Sequence, residues 1–440
     1  MNKILAIFAG LTLIAGCLVA FPDGVVAMFI VSLGALTTIL IVRRVDRENT
    51  FLIDIFLVAL IVRILFGLTV HLFDMREFFA GDSMTYDFYG NRIAEIWSGR
   101  ASMNDWLSER AISTLMPGWG INYLAAVIYM FTGHNMLAAQ SFCAVIGAAT
   151  APLVYICSHS MFQNRRVGKL SAFLVALFPG FIIWSSQLLK DGLIIFLLVL
   201  SMTMVLRLQK KFDYISIIVL IASLGGILSL RFYIFYMVVI AVGASFVIGR
   251  SGSVKSIVRG FVALVIIGLT LTYLGIVQTA GLDFDRYANL ERIQMSRSDL
   301  ARSAESGFGE TADVSNTEGV LAVLPIGFMY LMFAPFPWQV TNFRQAITLP
   351  EMMVWWASFP LLISGLWYTI RNRLRNTIAI LIFTMLLTLG YSVFQGNVGT
   401  AYRQRAQIQV FLFIFIAVGW TLRQENKEAR NVRRGGGRPQ

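Results

Sequence analysis

A cluster of acidic and hydroxyl side chains follows the long apolar run at 51–73. The stretch GDSMTYDFYG (81–90) contains Asp82, Tyr86 and Asp87. A carboxylate at this place can take a proton from a bound hydroxyl group, as a general base does. A short helix here would put Asp82 and Tyr86, four residues apart, on one face. The alternative interpretation is a solvated turn, because loops that leave an apolar run are normally polar.

Basic residues with aromatic and polar neighbours form a second group of candidates. The stretch QGNVGTAYRQR (395–405) has a predicted helix N-cap at Thr400, which places Tyr402, Arg403 and Arg405 in the first turn. Two arginines beside the free amide groups of a helix start form a site for an anion such as phosphate. The alternative is that both side chains extend to lipid headgroups. The other members of this group are Lys190 and Asp191 in WSSQLLKDGL (184–193), Arg231 and Tyr233 in LSLRFYIFY (228–236), and Asn397 and Tyr402 in 395–405.

The elements that must position these residues are membrane helices. The chain has 440 residues, of which 57% are hydrophobic and only 14% are charged, and its mean hydropathy is +0.71. A soluble domain carries about 25% charged residues, so this composition indicates an integral membrane protein. Many apolar runs reach the roughly 20 residues that cross a bilayer, and the sequence lacks the alternating pattern of an outer-membrane barrel. The predicted fold class is therefore all-α, a polytopic helical membrane protein.

The length of the apolar runs predicts about twelve membrane spans. Two further apolar segments, 118–132 and 319–337, are predicted to be interfacial or re-entrant, because the first is short and the second is interrupted by prolines. The predicted spans are 3–20, 25–42, 51–73, 136–160, 169–189, 191–207, 213–230, 232–249, 257–278, 351–370, 376–394 and 406–422.

The distribution of basic residues predicts the orientation of the chain. Alternate connections between the spans, together with the two termini, hold more than half of the 36 Lys and Arg residues. By the positive-inside rule, both termini are cytoplasmic and the loops 74–117 and 281–318 face outward. The candidate residues above then lie on the outer face, with Lys190 and Asp191 at an outer turn. For that pair, an ion pair that caps a hairpin is the alternative to a substrate contact.

Several other charged or polar segments receive structural interpretations. Residues 284–307 are predicted to form an amphipathic interfacial helix, and 308–319 to form a lid or a connector. The basic segment 423–440 is predicted to be a disordered cytoplasmic tail that is attracted to anionic lipids. Arg63 lies midway along a span without a partner in its own helix, so it is expected to face the bundle interior.

Cofactor and targeting motifs are scarce. Cys17, Cys143 and Cys157 lie within apolar runs, so neither disulfides nor a metal site is predicted. The stretch LIAGC (13–17) looks like a lipoprotein cleavage box, but the apolar run continues beyond it, which favours an ordinary membrane helix. No Gly-rich nucleotide loop follows a strand, and no nucleic-acid partner is predicted.

The order of features between Asp82 and Tyr233 resembles the GT-C superfamily of polytopic glycosyltransferases, which includes the protein O-mannosyltransferases and the lipid A aminoarabinose transferases. Two shorter pieces, LPIGFMYLMFAPFPW (324–338) and GNVGTAYRQRAQIQVFLF (396–413), look like those of bacterial membrane proteins from polysaccharide loci. The stretches that carry the main resemblance are GDSMTYDFYGNRIAEIWSG (81–99), MPGWGINYLAAVIYMFTGHNMLAAQSFCAVIGAAT (116–150) and SMFQNRRVGKLSAFLVALFPGFIIWSSQLLKDGLIIFLLVL (160–200).

The resemblance implies a multi-pass enzyme of a bacterial inner membrane, with membrane lipids as partners. Its donor would be a sugar on a polyprenyl phosphate, and its acceptor a glycan or glycolipid outside the cytoplasm. Asp82 would be the base, and Arg231, Arg403 and Arg405 would bind the donor phosphate. The residues expected to position the substrates are Tyr86, Asp87, Lys190, Asp191, Tyr233, Asn397 and Tyr402.

Two departures from the family pattern leave the subfamily and any dependence on a divalent metal open. Ser83 follows Asp82 where the family often has a second acid, and two extra spans precede the loop. The chain could instead be a polymerase or ligase of lipid-linked glycans, with a diphosphate donor. A transporter or flippase without chemistry is the third hypothesis, and it predicts inverted internal repeats, which are not visible in the sequence.

Overall fold

The fold is described from a computed structural model. It describes residues 3–46, 48–113, 118–248, 290–302, 307–308, 313–340 and 342–434, with a few residues between 262 and 270. Within this part of the chain, the secondary structure is helical apart from an isolated bridge between Gly307 and Asn397. The predicted fold class is confirmed: this is an all-α, polytopic helical membrane protein.

Apolar runs form the helices because a backbone in hydrocarbon must pair its own N–H and C=O groups. The described helices are α1 (Lys3–Val19), α2 (Asp23–Val45), α3 (Thr50–Leu72), α4 (Arg76–Ala80), α5 (Asp82–Trp97), α6 (Trp106–Ser113), α7 (Gly120–Thr132), α8 (Met136–Phe162), α9 (Arg165–Leu177), α10 (Pro179–Ser185), α11 (Lys190–Lys210), α12 (Tyr214–Leu230), α13 (Phe232–Ile248), α14 (Leu290–Arg302), α15 (Thr317–Phe333), α16 (Phe343–Ala346), α17 (Leu349–Ala357), α18 (Phe359–Asn372), α19 (Leu374–Phe394) and α20 (Val398–Arg434), with a short 3-10 helix at Pro337–Gln339.

Six of the described helices are long and apolar enough to cross a membrane, namely α2, α3, α8, α11, α19 and α20. Two bent helix pairs, α9 with α10 and α16–α17 with α18, raise the number to eight. The helices α1, α7, α12, α13 and α15 are apolar but shorter. The number of twelve spans therefore stays a prediction, and its ninth span, 257–278, lies mostly outside the described residues.

Two segments that were each predicted as one span contain a break. The segment 169–189 bends by 57° between α9 and α10, at Phe178 and Pro179. Proline has no N–H to donate and fits the first position of a helix, so it ends α9 and begins α10. The segment 351–370 bends by 43° between α17 and α18.

The C-terminal helix is longer than the sequence predicts. Residues 423–434, expected to be part of a disordered tail, continue α20 to Arg434. Two contacts with the start of α9 hold this extension: Asn164 Nδ2 donates to Glu425 at 3.2 Å, and Arg166 Nη1 donates to Glu428 at 2.9 Å. Residues 435–440 lie outside the described part of the chain.

The bundle is organised around α8 and α20. Helix α8 packs against α2, α3, α9 and α11, and α20 packs against α18, α9, α11 and α15. The first predicted outer loop contains α4, α5 and α6, with α5 packed on α7. The second contains α14, which packs on α19. This arrangement brings the starts of α5, α11 and α20 to one end of the bundle.

Candidate active site

A buried carboxylate, Asp191, lies at the centre of the polar residues at this end. It is the second residue of α11 and is fully buried. Arg231 Nη2 donates to Asp191 Oδ1 at 3.0 Å, and Arg403 Nε donates to Asp191 Oδ2 at 2.6 Å. A charge removed from water in this way needs opposite charges and hydrogen bonds around it. Asp191 therefore joins α11 to the α12–α13 turn and to α20.

A hydrogen bond from Arg403 connects Asp82 to the same group of charges. Arg403 Nη1 donates to Asp82 Oδ2 at 2.6 Å, across 321 residues of sequence. The Asp82 side chain is 55% exposed, whereas that of Arg403 is 15% exposed. One guanidinium group thus connects an accessible carboxylate to a buried one. Among the described residues, Arg403 Nη2 is buried without a hydrogen-bond partner, so the group retains a donor for an incoming anion.

Lys190 adds a third cation beside these arginines. Its Nζ donates to the carbonyl oxygen of Gly118 at 3.4 Å. It also lies 5.8 Å from the ring centroid of Tyr86 and 5.9 Å from that of Trp119. Aromatic faces attract cations at such distances. Lys190 thus lies beside two aromatic rings, and its charge interacts with those of Asp191 and Arg231.

Tyr86 itself is a neutral hydrogen-bonding group in this site. Burial of its hydroxyl and the nearby charge of Asp82 raise the pKa of Tyr86 to about 12. Both causes disfavour the phenolate. Tyr86 lies four residues after Asp82 on α5, and the two residues share a helix as the sequence predicted.

A set of hydroxyl and amide groups completes the surroundings of Arg231. Arg231 Nη1 lies 3.4 Å from the hydroxyl groups of both Tyr233 and Tyr391. Tyr391 donates to Gln407 Oε1 at 2.7 Å, and Gln407 Nε2 lies 3.5 Å from Asp191 Oδ1. Tyr391 and Gln407 were not among the site residues predicted from the sequence, although a polar residue inside an apolar span is a signal of a packed interior contact.

Arg405 lies apart from this group of charges. It is fully buried, and its Nη1 donates to the carbonyl oxygens of Leu331, Met332 and Ala334 at the end of α15. The hydrogen bonds of Arg405 therefore stabilise the end of α15 and are not directed to Asp191.

Tyr402 and Asn397 have other contacts as well. Tyr402 donates to the buried carboxylate Oε2 of Glu351 at 2.8 Å. Asn397 caps α20, because its Oδ1 accepts from the N–H of Gly399 at 2.7 Å. The predicted N-cap at Thr400 is therefore wrong, and Arg403 lies more than one turn inside the helix.

Asp87 belongs to a separate polar cluster. It accepts a hydrogen bond from the Tyr129 hydroxyl at 2.5 Å, and His134 Nε2 lies 3.0 Å from its Oδ2. As to metal binding, no group of three or more His, Cys, Asp or Glu side chains in the described ranges is close enough to hold an ion.

The assembled geometry has an exposed carboxylate beside three cations at one end of a membrane bundle. Residues 59–274 match the family model of dolichyl-phosphate-mannose-protein mannosyltransferases. The match covers just under half of the chain and includes Asp82, Lys190, Asp191 and Arg231, whereas Arg403 lies beyond it. None of the curated proteins matches the chain. Residues 59–274 are therefore similar to this mannosyltransferase family, which supports the resemblance to the GT-C glycosyltransferase superfamily.

Proposed function

We propose that this protein is an inverting membrane glycosyltransferase that uses a sugar linked to a polyprenyl phosphate. The acceptor is a hydroxyl group of a glycan or glycolipid on the extracytoplasmic face of a bacterial inner membrane. The product belongs to cell-surface polysaccharide or glycoconjugate synthesis. The family match supports the donor class. The observation that carries the proposal is the 2.6 Å contact between Asp82 and Arg403.

The proposed reaction uses Asp82 as the general base. Asp82 takes the proton of the acceptor hydroxyl, whose oxygen attacks the anomeric carbon of the donor sugar. The bond between that carbon and the phosphate oxygen breaks, and the polyprenyl phosphate leaves with the bonding electrons. The carboxylate of Asp82 is accessible enough to meet an acceptor, because its side chain is 55% exposed.

The cations stabilise the phosphate as its negative charge develops. Arg403 presents a guanidinium nitrogen that has no partner among the described residues, and Arg231 and Lys190 lie close by. Donors fixed before the reaction stabilise developing charge without reorganisation. Asp191 fixes Arg231 and Arg403, since it accepts one hydrogen bond from each. Arg405 is left out of this role because its hydrogen bonds go to α15.

Replacement of Asp82 by asparagine tests the proposal. We expect Asp82→Asn to lower the rate of sugar transfer by about 10²- to 10⁴-fold, since a positioned base contributes that much. The assay uses the purified protein, a polyprenyl-phosphate sugar and acceptor membranes. Asp74→Asn is the matched control, because Asp74 lies in the same predicted loop and its side chain is 86% exposed. Full activity of Asp82→Asn, with Asp74→Asn also active, would refute the proposal.

A further inference from the structure

A long apolar groove with a volume of about 870 Å³ lies between α2 and the pair α11 and α12. Helix α2 packs on α8, and α11 also packs on α8, with α12 beside it. The groove is the gap that this arrangement leaves, with α8 as its floor and α7 at one end. The charged residues of the candidate active site do not line it. We call it the α2–α12 groove.

The groove is about as long as the hydrocarbon core of a bilayer is thick. On α2 its lining extends from Val26 to Val45. This stretch of helix is about 28 Å long, and the hydrocarbon core is ~30 Å thick. The two ends of the groove therefore lie in different leaflets, and a lipid that enters from one leaflet fills about half of its length.

The walls of the groove suit a hydrocarbon chain. Its four threonines each donate a hydroxyl hydrogen to the carbonyl oxygen four residues earlier in the same helix; they are Thr37, Thr38, Thr132 and Thr203. Apart from these and Arg207, the lining residues are apolar. A polar body in the groove would lose its hydrogen bonds to water without gaining others, at a cost in free energy.

Arg207 is the charged residue of the lining, and it lies at one end of the groove. It belongs to the last turn of α11 and is half-buried. The charge of Asp213 acts on it, but Asp213 Oδ2 accepts from the N–H and the hydroxyl group of Ser216. Among the described residues, the guanidinium group of Arg207 has no hydrogen-bond partner. It therefore keeps donors for a phosphate group, which guanidinium groups bind well.

The end of the groove that contains Arg207 has an excess of positive charge. The two segments of sequence there, 43–48 and 207–213, hold six basic and three acidic residues. A headgroup with a net negative charge complements this excess. The positive-inside rule predicts that this end is cytoplasmic, whereas the candidate active site is predicted to face outward.

We infer that the α2–α12 groove binds an anionic phospholipid of the phosphatidylglycerol type. Its acyl chains lie along α8, between α2 and α11, and its phosphate accepts hydrogen bonds from Arg207. The lipid lies in the leaflet opposite the candidate active site, so it is neither the donor nor the acceptor of the proposed reaction. It joins α2, which precedes the residues 59–274 that match the family model, to α11 and α12.

Native mass spectrometry of the full chain in detergent tests the inference without requiring sugar transfer. The protein is first stripped of lipid, and the probes are phosphatidylglycerol and phosphatidylethanolamine with identical acyl chains. We expect phosphatidylglycerol to bind the wild type about fivefold more tightly, because its headgroup carries a net negative charge. Arg207→Gln is expected to weaken its binding about tenfold, and Arg207→Lys to restore most of it. Arg375→Gln is the matched control, since Arg375 is exposed near the start of α19 and outside the groove.

A phosphatidylglycerol with a photoreactive group on one acyl chain shows where the lipid binds. We expect labelled peptides from α2, α8, α11 or α12, and we expect Arg207→Gln to reduce this labelling without changing that of other helices. Equal binding of the two phospholipids, unchanged binding in Arg207→Gln, or labels confined to other helices would overturn the inference. Displacement of phosphatidylglycerol by an equal concentration of farnesyl phosphate would also overturn it, because it would assign the groove to a substrate lipid.

Discussion

At the scale of single residues, Asp191 explains how two arginines are held in an apolar bundle. It is fully buried and accepts hydrogen bonds from Arg231 and Arg403. Without Asp191, these two like charges would repel each other at close range. The carboxylate therefore both neutralises and orients the cations that are proposed to bind the donor phosphate.

Replacement of Asp191 by asparagine is expected to destabilise the protein strongly. The change leaves buried guanidinium groups without their carboxylate, which costs about 3–5 kcal/mol of the free energy of unfolding. Glu428→Gln is the matched control, since its pair with Arg166 is 59% exposed on both sides and is worth about 0–1 kcal/mol. Denaturation in detergent micelles measures both variants. Wild-type stability of Asp191→Asn would show that the buried pairs contribute little.

Helical geometry explains why the arginines at 403 and 405 have different roles. Residues two apart on a helix are separated by about 200°, so Arg403 and Arg405 point to opposite faces of α20. Gln407 is four residues after Arg403 and shares its face, which is why it reaches Asp191. One anion site was predicted for both arginines from their position in a helix's first turn, but that position does not give the direction of each side chain.

At the scale of helices, three buried arginines cap the C-terminal ends of three helices. A helix end leaves carbonyl groups unpaired, and a cation satisfies them and complements the helix dipole. Arg63 donates to the carbonyl oxygens of Val175 and Ala176 in α9. Arg297 donates to those of Val393 in α19 and of Gln395, just after that helix. Arg405 donates to those of Leu331 and Met332 in α15 and of Ala334, just after that helix. These contacts account for Arg63, which the sequence left without a partner.

The break between α9 and α10 has a polar side chain bound to the backbone on each of its two sides. Arg63 donates to the last carbonyl groups of α9 and to Ser185 Oγ at 2.7 Å. Glu351 accepts from the N–H of Gly180 at the start of α10. The 57° bend is thereby held by a guanidinium group at the C-terminus of α9 and by a carboxyl group that accepts a hydrogen bond at the N-terminus of α10. Because α10 carries Trp184, the bend sets the position of that ring beside Arg403.

A methyl group at Gly147 is expected to disturb this arrangement. A Cβ added there would overlap the Cβ and Oγ atoms of Ser185, whose hydroxyl pairs with Arg63. We expect Gly147→Ala to lower the free energy of unfolding by about 1–3 kcal/mol and to reduce sugar transfer through displacement of α10. Gly225→Ala is the matched control, since a Cβ there meets nothing within 4 Å. Equal stability and activity of the two variants would contradict the role given to Ser185.

The break illustrates what a single sequence can indicate about an element. Pro179 marks the start of a helix, and this signal was present inside the predicted span 169–189. The bend angle and the partners of Arg63 could not be predicted, because they depend on residues more than 100 positions away. Hydropathy gives the length of an apolar run and carries no information on its direction after a proline.

At the scale of the whole molecule, the charges at the two ends of the bundle differ. One end contains the Asp82, Asp191, Arg231 and Arg403 contacts. The far end of α8, α9, α11 and α20 holds exposed basic side chains, such as Lys210 near Ser160 and Arg166 near Glu428. The positive-inside rule predicts that this second end is cytoplasmic and that the candidate site faces outward.

Labelling of single cysteines tests this orientation. Ser102→Cys lies in the exposed loop after α5, and Asn431→Cys lies on the exposed end of α20. The background carries Cys17→Ser, while Cys143 and Cys157 are buried and unreactive. In cells with a permeable outer membrane, a membrane-impermeant maleimide should label Ser102→Cys at once and Asn431→Cys only after lysis. The reverse order would place the candidate site in the cytoplasm.

The sequence was sufficient for the fold class and for part of the site. Apolar runs identified the helices because the bilayer imposes their length and composition. Asp82, Asp191 and Arg403 were all named as candidates, and the structure brings them into contact. Their contact could not be derived from spacing, since α20 lies more than 200 residues beyond α11 in the chain. The packing of one helix against another supplies that information.

The central claim is that Asp82 and Arg403 act in one reaction centre, and a double-mutant cycle tests it most directly. The variants are Asp82→Asn, Arg403→Gln and the two combined, with kcat/KM measured for sugar transfer and thermal unfolding measured to confirm folding. Residues that act together show strongly non-additive losses. We predict that the double variant is only slightly less active than the more impaired single variant. A loss equal to the product of the two single losses would contradict the account.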